Sequence, residues 1–131
     1  ALDATLRKRP GKDNLLSLVR YIRSHSDKLI MADCATLEEV KNADQIGFDY
    51  ISSTLRSYTK ESAGIKIPDI EFTKEMLNTV KNAKVIFEGG IDSPQTLAKV
   101  LETGVKYVVI GGAITRPLQI TKRYLQEFKN W

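Results

Sequence analysis

Apolar residues recur along this chain in two periods that take turns. In NLLSLVRYI, Leu15, Leu18, Val19 and Ile22 fall on one face of a helix. KLIMAD, from Lys28 to Asp33, is instead a short apolar run ending in a carboxylate, and it reads as a buried strand. Thr36 with Glu39 three residues later forms a capping-box start for a helix that closes near Gly47. FDYIS is the next strand, and a loop of about fifteen residues leads from it to the helical IEFTKEMLNTVKN. KVIFEG then reads as a strand and SPQTLAKVLETG as a helix, with Ser93 at the N-cap, Pro94 in the first turn and Gly104 as the stop. KYVVIGG and PLQITKRYLQEFKN close the pattern, and LDATL at the start reads as the tail of a strand. In the last helix, Ile120, Tyr124 and Phe128 form an apolar stripe predicted to face the core.

A weak repeat agrees with this alternation. IGFDYI at 46–51 and TGVKYV at 103–108 share a helix-ending glycine, an apolar residue, a charge, a tyrosine and an apolar residue. Repeated helix–glycine–strand units predict a parallel sheet with right-handed crossovers, its strands apolar on both faces. Two architectures follow, an open doubly wound sheet or a strand–helix barrel. The open sheet carries its glycine-rich phosphate turn in the first unit. Here the paired glycines come in the last two units, as in barrels that bind phosphate after strands seven and eight. The expected fold is therefore an α/β (β/α)8 barrel. Such a barrel takes roughly 200 residues or more. With 131 residues and about five strands, residues 1–131 are expected to form the C-terminal portion of one barrel domain.

Composition narrows the function classes. A net charge of +4 admits an anionic ligand, but most cations sit on helix faces that read as solvated, and no basic block interleaves with aromatics. Nucleic acid is therefore not an expected partner. No apolar run approaches the ~18 residues of a membrane span, and no signal-peptide pattern opens the sequence given. The single Cys34 forms no internal disulfide and fits a reducing cytoplasm, and the lone His25 gives no histidine-based metal site. Neither metal nor cofactor is expected.

In a barrel, chemistry gathers at the C-terminal ends of the strands. The candidates are then Asp3 and Thr5, Asp33, Ser53 and Thr54, Glu88, and Gly111 with Gly112. Asp3 and Asp33 have the competing reading of helix caps or loop acceptors. Glu88 does not, because Ser93 already starts the next helix. Gly111 and Gly112 let backbone N–H groups approach an anion closely, Gly89 and Gly90 repeat the arrangement one strand earlier, and Arg116 adds a charge-assisted contact. A single glycine pair after a strand is usually only a turn; two pairs ending consecutive units point to a phosphate. Tyr58 and Thr59 lie in the long loop, which reads either as a binding loop or as exposed filler. Cys34 reads as a small buried side chain.

Taken together, ALDATLR, MADCATLEE, FDYISSTL with SYT, FEGGI and VVIGGAITRP with ITKRY resemble the N-acetylmannosamine-6-phosphate 2-epimerases, in order and over essentially the whole chain. The resemblance implies a (β/α)8 barrel that interconverts N-acetylmannosamine 6-phosphate and N-acetylglucosamine 6-phosphate in bacterial sialic acid catabolism, without cofactor. It implies Glu88 as the catalytic carboxylate and Asp33 as a sugar-hydroxyl and acid–base partner. Arg116 and the glycines become the phosphate clamp; Asp3 and Thr54, by their strand-end positions, and Tyr58, by its place in the long loop, are expected as further substrate contacts. The family is often dimeric, and open strand edges favour association, so a homodimer in the cytoplasm is expected.

Three departures stand out. Many members have glycine where this chain has Ser57, and a larger residue where it has Gly90. The family's catalytic lysine comes from an earlier strand with no counterpart in these residues, so the isolated 131 residues are expected to be inactive. The alternatives are another phosphate-binding barrel, of aldolase or thiamine-phosphate-synthase type, and a non-catalytic sugar-phosphate binder.

Overall fold

In a computed structural model, residues 1–11 and 14–128 are described. Strands β1 (Leu2–Asp3), β2 (Met31–Asp33), β3 (Tyr50–Ser52), β4 (Lys84–Glu88) and β5 (Tyr107–Val109) alternate with helices α1 (Leu15–His25), α2 (Leu37–Ile46), α3 (Ile70–Thr79) and α4 (Pro94–Leu101). A short α5 (Gly112–Thr115) and a longer α6 (Pro117–Phe128) follow β5. All neighbouring strands are parallel, in the order β1-β2-β3-β4-β5. Sheet order follows chain order without the reversal that defines a doubly wound sheet. The sheet is an arc of a strand–helix barrel.

Local chemistry sets the helix starts. Asn14 accepts from the Ser17 amide and Ser17 answers with its hydroxyl, opening α1. Thr36 and Glu39 do the same for α2, as expected, and Asp69 caps α3 through the Phe72 amide. Ser93 and Pro94 start α4 as predicted. Gly47 and Gly104, the repeated glycines, both take positive φ, which lets the chain leave a helix and enter a strand.

The strands are shorter than the apolar runs suggest. In LDATL the Thr5 amide and hydroxyl both turn back onto Asp3 Oδ1, which ends β1 at Asp3. In KLIMAD the Ile30 amide bonds the Asp49 carboxylate rather than a strand neighbour. The long loop contains a 3-10 turn, Lys60–Ser62, and α5 was also not predicted.

Side chains alternate across the sheet. Ala32, Ile51 and Val85 align in register and are buried, as is Phe87. They share one core with Val40, Ala43, Phe72, Met76 and Val100 from the helices. Each large apolar side chain so buried contributes about 1.5–3 kcal/mol. The opposite face is more polar than predicted: Asp3, Asp33, Ser52, Ile86 and Tyr107 form one row across it. Nearer the N-terminal end, Lys84 lies 5.7 and 5.8 Å from the rings of Tyr50 and Tyr107. The expected core stripe on the last helix is corrected. Tyr124 and Phe128 are 70% and 67% exposed, because the element α6 meets most closely among those described is α5.

Candidate active site

The register brings the strand ends to one rim. Asp3, Asp33 and Ser52 end adjacent strands in line, while β4 runs two residues further, so Glu88 pairs with Val109 and stands higher. Ser53 pins it there. Its hydroxyl oxygen accepts from the Glu88 amide at 3.0 Å and its hydrogen goes to the Glu88 carbonyl at 2.8 Å. The next residue, Thr54, sets its hydroxyl 2.9 Å from Asp33 Oδ1 and 3.0 Å from Glu88 Oε2. Asp33 and Glu88, expected as a catalytic pair, are thus linked through one side chain.

Glu88 opens into a cavity of about 560 Å³. Its walls include Thr54 and Tyr58 from the long loop, Gly89 and Gly90 after β4, and Gly111, Gly112 and Arg116 after β5. Eight of the ten proposed site residues therefore share one space. Asp33 reaches it through Thr54. Asp3 does not line it: its oxygens are taken by Thr5 and Arg7, and Arg9 approaches at 3.9 Å. Gln119 and Arg123 also line the cavity. They were not singled out in the sequence, although they follow Arg116 at helical spacing on α6 and periodicity alone puts them on its face. A larger, mostly apolar groove of about 810 Å³ lies beside α6; Asp92 and Arg123 line it, but none of the strand-end carboxylates does.

The two glycine pairs differ in what the fold asks of them. Gly90 has φ +76, and a Cβ there would sit 2.6 Å from the backbone of Ile67 and Pro68. The long loop packs directly on it, so glycine is a steric requirement. Any side chain at this position needs that loop moved. A Cβ on Gly111, in contrast, would meet no protein atom within 4 Å. On Gly112 it would meet the Arg116 side chain at 3.4 Å, which shows the arginine folded back over that turn. A guanidinium beside glycine amides, at a short extra helix after the last strand, is an arrangement that receives phosphate in barrel enzymes.

Electrostatics separate the acids. Burial pushes the Asp33 carboxyl above its usual range, aided by Asp3 and opposed by the Thr54 hydroxyl. For Asp3, burial also works upward, but the Thr5 hydroxyl and amide with Arg7 and Arg9 outweigh it and hold the carboxyl low. Cys34 is fully buried, as expected, and burial with nearby carboxylates drives its thiol far up, away from nucleophilic use. Among the described residues no cluster of His, Cys, Asp and Glu is arranged to hold a metal ion, and no helix is long and apolar enough to cross a membrane.

Comparison with known proteins bears on this site. The NanE family model, described as "Putative N-acetylmannosamine-6-phosphate epimerase", matches residues 1–130. A Staphylococcus aureus (strain JH9) protein described as "Putative N-acetylmannosamine-6-phosphate 2-epimerase" is 50% identical over 129 residues, which are 96% of this chain and 57% of that protein. The solved N-acetylmannosamine-6-phosphate 2-epimerase from Clostridium perfringens superposes with a TM-score of 0.86 at 47% identity, over 95% of this chain and 54% of that one. The chain thus spans about half the length of the relatives it matches. A mandelate oxidase structure aligns at a TM-score of 0.63 and 21% identity over 77% of this chain and 30% of its own, a likeness of fold alone.

Proposed function

The chain belongs to the N-acetylmannosamine-6-phosphate epimerase family, and from that premise we propose that its protein interconverts N-acetylmannosamine 6-phosphate and N-acetylglucosamine 6-phosphate. The observation that carries the proposal is the single cavity that unites Glu88, both glycine pairs and Arg116. A sugar phosphate needs both ends of that set. Arg116 and the Gly111–Gly112 amides hold the dianion at one end, and a carboxylate meets the reacting carbon at the other.

In the open-chain sugar the aldehyde acidifies the hydrogen on carbon 2. A base removes it, donors hold the enolate oxygen, and a proton returned from the opposite face inverts the centre. Inversion calls for one group on each face. Glu88 serves one of them, and Asp33 supports it through Thr54. The resemblance assigns the other to a lysine, and among the described residues none of the lysines lines the cavity; Lys84 begins β4, at the far end of the strand. We therefore assign that lysine, and the units that complete the barrel, to residues outside 1–131. The 131 residues alone then bind phosphate without turnover. A Schiff-base aldolase also needs a lysine at this cavity; borohydride treatment of the natural full-length protein with substrate tells the two apart, and no trapped adduct is expected. The protein works in the cytoplasm on an amino-sugar phosphate, with no membrane or nucleic acid involved. The resemblance also implies a homodimer; in the completed barrel the edges at β1 and β5 pair with the added units.

The test is epimerisation in deuterium oxide with the protein at its natural full length. Deuterium enters carbon 2 of the product, and Glu88→Gln slows this by roughly 10²–10⁴-fold, the usual worth of a positioned acid–base group, while the sugar phosphate still binds by calorimetry. Product without deuterium, or near-normal turnover in Glu88→Gln, refutes the proposal.

A further inference from the structure

The contacts of Thr54 do not close if Asp33 and Glu88 are both bare carboxylates. Its Oγ1 lies 2.9 Å from Asp33 Oδ1, 3.0 Å from Glu88 Oε2 and 2.8 Å from Ser52 Oγ. A hydroxyl has one hydrogen to donate and two lone pairs that accept. Two carboxylates only accept, so the single hydrogen serves one and leaves the other's oxygen against a lone pair at hydrogen-bonding distance. The fully buried Ser52 hydroxyl is a third acceptor for the same hydrogen, so three oxygens compete for it. Giving Thr54 Oγ1 something to accept takes a proton on one of the two carboxyl groups.

We propose that Asp33 and Glu88 hold one proton between them and that the Thr54 hydroxyl passes it from one to the other. As the proton leaves Asp33 Oδ1 for Thr54 Oγ1, the hydrogen of Thr54 moves to Glu88 Oε2. One O–H bond breaks and one forms at each step of the chain, and the pair keeps one proton and one negative charge throughout. Thr54 is then a positioning residue whose hydrogen is already engaged, rather than the sugar contact expected from its place in the chain. What the pair gains is a choice of state: with the shared proton on Asp33, Glu88 meets the cavity as a base, and with it on Glu88 the same carboxyl meets the cavity as an acid. That use rests on the epimerase reading; the shared proton does not.

The surroundings fit a single charge on the pair. Asp33 faces Asp3 from β1, whose charge is held by Arg7 and Arg9, and burial raises its affinity for a proton. Cys34 beside it is a neutral thiol. On the Glu88 side, Arg116 at the end of α5, Arg123 from α6, Asp92 and Tyr58 line the same cavity.

The experiment titrates the isotope-labelled Asp33 carboxyl by NMR, without substrate, in the natural full-length protein. Asp33→Asn identifies its signal. Glu88→Gln removes the competing carboxylate and frees the Thr54 hydrogen for Asp33, so its midpoint falls by about one pH unit or more, as coupled sites require. In a Thr54→Val background that fall shrinks to less than half, and in Thr54→Ser it is kept; Thr54→Ala replaces Val if that variant does not fold. No fall in Glu88→Gln, or an equal fall with and without the hydroxyl, overturns the proposal. Because no substrate is present, either result leaves the epimerase assay to stand or fail separately.

Discussion

Aspartates sit at both ends of this sheet, and their partners differ in kind. At the N-terminal ends of the strands, Asp44 accepts from the backbone amides of Lys81, Asn82 and Ala83 and from the Asn82 side chain. Asp49 there accepts from the Ile30 amide and from Arg23. At the C-terminal ends, the side chain of Asp33 meets one hydroxyl, which it shares with Glu88. The consequences run in opposite directions. Burial works to raise all three carboxyls, but amide donors outweigh it at Asp44, and the Ile30 amide with Arg23 outweighs it at Asp49. At Asp33 burial prevails. An acid saturated with amides is a fixed acceptor that staples a helix–strand turn. An acid with one shared, reversible donor keeps its proton in play. In a barrel the first end secures the fold and the second does the chemistry.

Exchanging the acids for neutral side chains breaks the comparison most sharply. Asp44→Ala leaves three amides without their acceptor and is expected to cost about 2–4 kcal/mol in urea unfolding. Asp33→Asn removes a charge that burial opposes, so it leaves the fold slightly more stable at neutral pH while lowering turnover. The pH dependence follows with opposite sign. Folding lowers the Asp44 carboxyl, so its contribution is complete above the unfolded value of about 3.9 and is lost as the pH falls through the folded value. Folding raises the Asp33 carboxyl, so its contribution is complete below about 3.9 and is lost as the pH rises through the folded value. The Asp44 variant therefore recovers relative to the parent on acidification, and the gain in Asp33→Asn disappears. If both substitutions destabilise alike, the two ends are not different in kind.

A smaller effect sharpens the same contrast. The turns entering β3 and β5 place glycine at their positive φ, Gly47 and Gly104, whereas Ser57 in the loop beyond β3 has φ +77 with a side chain present. A non-glycine residue there costs roughly 1–2 kcal/mol before glycine's greater chain entropy is counted against the exchange. Ser57→Gly is expected to raise the midpoint of unfolding by the equivalent of about 0.5–1 kcal/mol. An unchanged or lower midpoint shows the strain to be offset by the bond from the Ser57 amide to Ser62 Oγ.

Much of this was legible in the chain because it depends on neighbours in sequence. The period of Leu15, Val19 and Ile22, the Thr36–Glu39 box and the glycines at 47 and 104 act locally, and the fold uses each as written. Sheet order followed once the position of the glycine pairs favoured a barrel. What escaped depends on contacts far apart in sequence. Strand ends were overestimated because Thr5 turns onto Asp3, and because Asp49 takes the Ile30 amide. Gly90 read as a phosphate contact, yet its absent side chain also makes room for Ile67 and Pro68. Asp3 and Asp33 looked equivalent, two acids ending adjacent strands. Only the arginines that close on one and the threonine that spans from the other tell them apart.

The most direct test of the account is a crystal structure of the natural full-length protein with N-acetylmannosamine 6-phosphate bound. The prediction is a phosphate held by the amides of Gly111 and Gly112 and the guanidinium of Arg116, with carbon 2 of the sugar turned toward Glu88. A phosphate seated in the apolar groove beside α6 or at the N-terminal end of the sheet, or a sugar facing away from Glu88, contradicts it.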